Sequence, residues 1–261
     1  MKKIISILVI LAMVLAFAGC GNGNKTESDL EYIKQKGNLI VGVTVFEPMD
    51  YQDANGEWLG FDADVAKLFA ESLGVKAEFI IIDWDNKIME INNKSIDCVW
   101  NGMTLNDEVT KSMECGKPYC DNAQVVVVKA ENADKYQTED SLKDLAFAVE
   151  AGSAGEDAVA ALGLDYTAVP YQSDAVMEVA AGTSDACAID LIMAGAMIGE
   201  GTSYPDLTYT VALTSEKYGV GFRKGSELAE EFNKFYKENQ DGKILDIAKE
   251  YGVQESLINY D

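Results

Sequence analysis

Histidine is absent from all 261 residues, and basic side chains are scarce: 21 Lys plus Arg stand against 44 Asp plus Glu. Without histidine, Ser-His-Asp, Cys-His and HExxH arrangements are excluded, and with them the commonest zinc ligand and neutral-pH acid/base. A formal net charge of −23 repels phosphate backbones, so no nucleic-acid partner is expected. No Cys-x-x-Cys pair occurs. A structural metal site therefore has no support, and no cofactor is expected. Beyond a short N-terminal tether there is no low-complexity run, and no repeat of solenoid length. What remains is the composition of a folded chain, 48% apolar and 25% charged. Its length suits one large domain or two ordinary ones.

The first nineteen residues are different in kind. Lys2 and Lys3 precede residues 4–17, an apolar stretch whose only polar member is Ser6, and Ala18-Gly19 lead into Cys20. A charged start, a short apolar run and a small-residue cleavage site describe a secretory signal over residues 1–19. The run is too short for a permanent bilayer-spanning helix. Ala18-Gly19-Cys20 resembles a bacterial lipobox. That resemblance implies a diacylated Cys20 at the mature N-terminus, an extracytoplasmic location and attachment to the cell membrane through lipid. Gly21-Asn22-Gly23-Asn24 opens a polar, flexible tether. Cys98 and Cys187 lie inside apolar runs and read as small core residues. Cys115 and Cys120 flank Gly116-Lys117-Pro118 and are either a local disulfide or two free thiols.

Along the rest of the chain, strand and helix signals alternate. Ser28 and Glu31 form a capping box for a short helix ending at Gly37, so residues 20–36 comprise tether and helix. Residues 39–45 read as a strand, and Asp53-Ala54-Asn55-Gly56 as a turn. Asp62 is expected to cap a helix with Val65, Leu68, Phe69 and Leu73 on its apolar face. A strand at 75–82, a short helix at 87–92 and a strand at 96–100 follow. The grammar repeats from Leu145: strands at 147–149, 167–169 and 186–189 alternate with a helix at 155–162 and another capped by Ser173. Long extended segments at 123–129 and 207–224 lie around these halves, and the C-terminus is helical. The expected fold is α/β with two lobes: residues 37–124 begin lobe 1, 125–213 form lobe 2 with the hinge strands, and 214–261 return to lobe 1.

Several strings in this order resemble extracellular solute-binding proteins of the amino-acid-binding type, from ABC importers. They are Gly37-Asn38-Leu39-Ile40-Val41-Gly42-Val43, Gly56-Glu57-Trp58-Leu59-Gly60-Phe61-Asp62-Ala63-Asp64, Ile96-Asp97-Cys98-Val99-Trp100-Asn101-Gly102-Met103-Thr104, Lys117-Pro118-Tyr119, Ala151-Gly152-Ser153 and Asp241-Gly242. The resemblance covers essentially the whole chain after the signal. It implies a periplasmic-binding-protein-like fold with two hinge crossovers and a ligand between the lobes. The implied partners are a small amino acid or amine, and a membrane permease with its ATPase. The chain is expected to act as a monomer, and not as an enzyme.

Ligands of open α/β sheets bind beyond the carboxyl ends of strands, where helix N-termini offer N–H groups. Asn101-Gly102-Met103-Thr104, Gly152-Ser153-Ala154 and Asp190 each follow or end such a strand. By resemblance, the Gly102 carbonyl and the Asp190 carboxylate hold an ammonium. Thr104 and the N–H groups of Ser153 and Ala154 hold a carboxylate, while Phe46 and Trp84 stack on the ligand side chain. Read singly, Thr104, Ser153 and Asp190 are equally helix caps, and Phe46 and Trp84 core residues. Two departures bear on the ligand. The family's Thr-x-x-x-Glu-Arg, whose Arg clamps a carboxylate, is Thr104-Leu105-Asn106-Asp107-Glu108-Val109 here. Glu150, beside the Gly-Ser loop, adds a carboxylate that needs a cation or a proton if buried. An amino acid with a polar or cationic side chain is therefore expected, with a polyamine as runner-up. A sensing lipoprotein is a further alternative. A dehydratase-like enzyme would have to use Glu150 or another carboxylate as general acid, since no Lys stands at the matched pocket positions.

Overall fold

The computed structural model describes residues 28–261, so the expected signal segment, Cys20 and residues 21–27 lie outside the described residues. Ser28 accepts a hydrogen bond from the Glu31 N–H at 3.1 Å and starts α1 (Asp29–Lys36), which Gly37 ends in the left-handed region. Strand β1 (Asn38–Val43) follows, then a hairpin of β2 (Tyr51–Gln52) and β3 (Trp58–Leu59). The chain continues through α2 (Phe61–Ser72), β4 (Lys76–Ile81), α3 (Lys87–Asn92), β5 (Cys98–Val99), α4 (Asp107–Ser112) and β6 (Met113–Cys115). β1 pairs in parallel with both β4 and β5, the outcome of successive strand–helix–strand crossovers.

Strand β7 (Cys120–Asn122) carries the chain out of this first sheet. The second sheet is built from β8 (Gln124–Lys129), β9 (Phe147–Glu150), α5 (Ala154–Ala161), β10 (Tyr166–Val169), α6 (Gln172–Ala181), β11 (Ala186–Asp190), α7 (Leu191–Met197) and β12 (Leu207–Ala212). Its strand order is β10-β9-β11-β8-β12. Val125, Val126, Val127 and Val128 are all buried, which explains an unbroken apolar run where a half-exposed strand would alternate. The chain returns along β13 (Glu216–Tyr218), antiparallel to β7, and inserts β14 (Gly221–Arg223) between β5 and β6. The first sheet is thereby ordered β4-β1-β5-β14-β6. Two lobes thus each have their own sheet, and the β7–β13 ribbon carries both crossings.

Helices α8 (Leu228–Asn239) and α9 (Leu245–Glu250) close the first lobe. Phe232 meets Phe69 and Trp100 edge-on, with centroids 5.9 Å and 5.1 Å apart, so the C-terminal segment completes the core begun by α2. Among the described residues, no helix is long and apolar enough to cross a membrane. Cys98, Cys115, Cys120 and Cys187 are free thiols.

Two expected caps are corrected. Helix α6 begins at Gln172 after Tyr171, so Ser173 lies inside its first turn. Helix α2 is preceded by Gly60, and Asp62 turns inward, fully buried. Its Oδ2 accepts hydrogen bonds from the Gly102 N–H and the Tyr119 hydroxyl, each at 2.7 Å. These donors come from distant parts of the chain, so they outcompete the local capping role that the sequence pattern favours.

Burial pushes Asp62 up to about 7, against the hydrogen bonds from Tyr119 and Gly102. Asp50 beside it is also raised, by burial and by the Asp62 charge. An unfolded aspartate loses its proton at about pH 4, so between there and about pH 7 the folded chain holds more protons than the unfolded one. Stability must then fall as pH rises through that window. A thermal-unfolding series from about pH 5 to about pH 8 should show Tm decreasing, with a shallower decrease in Asp62→Asn. An equally steep decrease in that variant would place the linked proton elsewhere.

Candidate functional site

The carboxyl ends of β1, β5, β9 and β11 converge on one cleft between the lobes. About 400 Å³ of space between atoms, open solvent included, lies along it. Phe46, Trp84, Asn101, Gly102, Met103 and Thr104 line it from the first lobe, and Glu150, Ser153, Ala154 and Asp190 from the second. All ten residues singled out from the sequence are therefore brought together. Lys87, Gln124 and Gln172 also line the cleft. The first of these corrects the expectation that no lysine faces the site: Lys87 starts the short helix α3, one turn behind Trp84, and nothing in the local pattern marks it.

On the first lobe, the loop after β5 is held rigidly. Asn101 Oδ1 accepts from the Thr44 N–H at 2.9 Å and its hydroxyl at 2.8 Å, while Asn101 Nδ2 donates to Asp50 Oδ2 at 2.8 Å. Gly102 has φ +55°, and a Cβ there would lie 2.5 Å from Phe46 Cε1. Only glycine permits this turn against that ring. Thr104 donates its hydroxyl proton to Glu216 Oε1 at 2.8 Å. Val109 is buried with Met103 and Met113 in an apolar cluster.

On the second lobe, Asp190 is buried and surrounded by donors. Its Oδ1 accepts from Asn122 Nδ2, from Gln124 Nε2 at 3.0 Å and from the Tyr218 hydroxyl at 2.6 Å. Its Oδ2 accepts only from Gln172 Nε2. A carboxylate has about four lone-pair sites, so Oδ2 retains capacity for a further donor. Asn122 and Gln124 donate at 2.8 Å to Glu216 as well, so the two carboxylates share their partners. Burial, with the Glu216 charge, raises Asp190 to about 7, opposed by the Tyr218, Gln172 and Gln124 hydrogen bonds. Asn122, Gln124, Gln172, Glu216 and Tyr218 were not legible as site residues, because their roles depend on the hinge ribbon meeting the end of β11.

Glu150 is 2% exposed, and among the described residues its Oε1 has no hydrogen-bond partner. Burial and the Asp190 charge raise it to about 8, with Lys87 acting in the opposite direction. Ser153 caps α5 by accepting from the Glu156 N–H at 3.1 Å. The Ser153 N–H turns back to the Glu150 carbonyl at 3.2 Å, which leaves the Ala154 N–H as the first outward-facing donor of the helix.

The lobes meet directly across the cleft. Lys87 Nζ donates to the Gly152 carbonyl at 2.8 Å, and Asn106 Nδ2 to Asp157 Oδ2 at 3.3 Å. A Cβ on Gly152 would lie 2.7 Å from Asp85 Cα, so this approach needs glycine.

Comparison with known proteins agrees with this geometry. The family described as bacterial extracellular solute-binding proteins, family 3, matches residues 39–254. The arginine-binding extracellular protein ArtP of Bacillus subtilis (strain 168) is 29% identical over 95% of this chain and 97% of its own. The crystal structure of a mutant of ArgBP from T. maritima superposes with a TM-score of 0.80 at 30% identity, covering 86% of this chain and 99% of that one. The ancestral amino acid-binding protein AncCDT-1, described as a precursor of cyclohexadienyl dehydratase, gives a TM-score of 0.78 at 31% identity, with coverage of 86% and 99%. The two-lobed fold, the cleft at the strand ends and the match along almost the whole described chain have one reading: this chain belongs to the family 3 bacterial extracellular solute-binding proteins, the amino-acid-binding type.

Proposed function

We propose that the protein is the lipid-anchored substrate-binding component of an ABC importer and that it captures an amino acid with a cationic side chain. The observation that carries the ligand class is Glu150, a buried carboxylate whose Oε1 lacks any donor among the described residues. A buried acceptor without a partner is costly, and a guanidinium or ammonium on the ligand removes that cost while pairing the charge. Asp190, with capacity left on Oδ2, takes the α-ammonium together with the Gly102 carbonyl. Thr104, Ser153 and Ala154 lie at the carboxylate end, and Phe46 and Trp84 flank the side chain. The arginine named for ArtP and for several structural relatives supports the same class. A polyamine fits less well, because the buried Lys87 ammonium repels a second cation and needs an anion.

A dehydratase-like enzyme is the second reading. It is favoured by Glu150, held near neutrality in a cleft as a general acid would be, and by the likeness to AncCDT-1. Incubation with candidate substrates and analysis of products decides it: new products would replace the binding reading with this one.

Calorimetry against arginine, lysine, glutamine and putrescine tests the ligand assignment. Asp190→Asn should weaken every amino acid by about 10- to 100-fold, the value of a charge-assisted hydrogen bond. Glu150→Gln should weaken arginine and lysine while sparing glutamine. Because Asp190 and Glu150 are raised to about 7 and about 8, both are largely protonated at the acid end. A cation binds the ionised forms, so affinity for arginine should rise between about pH 6 and about pH 8, with release of protons. Unchanged affinity in Asp190→Asn would remove the site assignment.

Two further expectations concern the cell surface and closure. Cys20→Ser should move the protein from the membrane fraction to the soluble one, whereas unaltered retention would exclude the anchor. Small-angle scattering should show a smaller radius of gyration with saturating ligand, since two lobes joined by one ribbon close by hinge rotation. An unchanged radius would contradict that.

A further inference from the structure

We infer that Lys87 is the cation that reads the ligand's α-carboxylate, standing in for the guanidinium that Val109 cannot provide. The inference rests on the amino-acid reading above and extends it to a residue on the opposite lobe from the N-terminus of α5. Lys87 is 5% exposed and lines the cleft. Its ammonium has three N–H donors, of which one goes to the Gly152 carbonyl at 2.8 Å and one to the Trp84 carbonyl at 3.2 Å. Among the described residues the third donor has no hydrogen-bond partner, and the charge lies over the Trp84 ring, 5.1 Å from its centroid, with no carboxylate within ion-pair distance of Nζ. Burial pushes Lys87 below the ordinary lysine value, opposed by Glu108, Glu150, Asp85 and Asp157, and an anion within bonding distance favours the charged form further.

The position suits a carboxylate. By bonding to the Gly152 carbonyl, Nζ is fixed beside the turn that leads into α5, an eight-residue helix. The Ala154 N–H and the Ser153 hydroxyl proton are available at the same turn, and the helix N-terminus adds positive potential. One oxygen of a carboxylate can meet the lysine and the other the helix end. Thr104, expected to serve that carboxylate, donates to Glu216 instead, which leaves Lys87 as the charged donor on the first lobe.

This arrangement makes the charges match completely for one ligand type. Asp190 takes the α-ammonium, Glu150 the side-chain cation and Lys87 the α-carboxylate. Since Lys87 also donates across the cleft to the second lobe, the same side chain joins the lobes and reads the ligand. A purely structural lobe tie would act on every ligand alike; a carboxylate reader acts only on ligands that carry one.

That difference is the test. Calorimetry is done with wild type, Lys87→Met and Lys87→Arg against two pairs: arginine with agmatine, its decarboxylated amine, and lysine with cadaverine, likewise decarboxylated. Lys87→Met should lower the ratio of arginine to agmatine affinity, and of lysine to cadaverine affinity, by about 10- to 100-fold relative to wild type. Lys87→Arg should restore most of the amino-acid affinity. Equal weakening of acid and amine would assign Lys87 to lobe joining alone and overturn the inference, as would unchanged affinity for arginine. If wild type ignores basic amino acids but binds a neutral one, the cationic-ligand reading fails. Lys87 is then judged by that amino acid and its decarboxylated amine. If wild type binds no amino acid, both readings fall.

Discussion

The structure depends on holding a buried carboxylate at the end of a strand. Asp190 closes β11 inside the protein, where an ionised group is tolerable only among donors. Gln172 comes from the second lobe, Asn122 and Tyr218 from the two strands of the hinge ribbon, and Gln124 from the first residue of β8. Glu216, also on the ribbon, draws on two of the same donors and on Thr104 of the first lobe. Asp190, the group proposed to read the ligand's ammonium, and the hinge are therefore one hydrogen-bonded network. Rotation of the lobes cannot leave the environment of Asp190 untouched, and a charge arriving at Asp190 alters the balance of bonds across the hinge.

The first lobe supplies its part by a similar arrangement with different residues. Asp62 and Asp50, both fully buried, hold the loop after β5 through the Gly102 N–H and the Asn101 side chain. In that loop Gly102 sits against Phe46. Buried carboxylates outside the cleft thus fix backbone geometry, whereas Asp190 and Glu150 line the cleft itself. Asp62 Oδ2 has two donors, whereas Asp62 Oδ1, Asp50 Oδ1 and Glu150 Oε1 have none among the described residues. Position separates them, since all are buried and only Asp190 and Glu150 among these four line the cleft.

This contrast also explains what was legible in the sequence. Strand ends that turn into helices leave local signatures, so Gly102, Ser153 and Asp190 could be placed from residue order alone. Phe46 and Trp84 emerged only through resemblance to the family. Lys87 sits in an ordinary short helix, and Gln172 at the start of another. Asn122, Glu216 and Tyr218 lie in extended segments separated by about ninety residues, a distance no local pattern spans. Asp62 misled for the same reason: its position before an apolar helix matches a cap, and only Tyr119 and Gly102, far along the chain, turn it inward.

Charge arrangement in the cleft bears on selectivity through closure itself. Each ionisable group lining the cleft loses water as the lobes meet at Lys87–Gly152 and Asn106–Asp157. An unmatched charge trapped there weakens closure by more than a single matched contact strengthens it, because removing one partner leaves the other buried alone. A neutral amino acid would leave Glu150 needing a proton, and a diamine would leave Lys87 without an anion. On the proposed assignment a basic amino acid leaves neither, and closure would then discriminate by what remains unpaired. The excess of acidic residues over the whole chain acts earlier and at longer range, since a net charge of −23 favours the approach of cations before any contact is made.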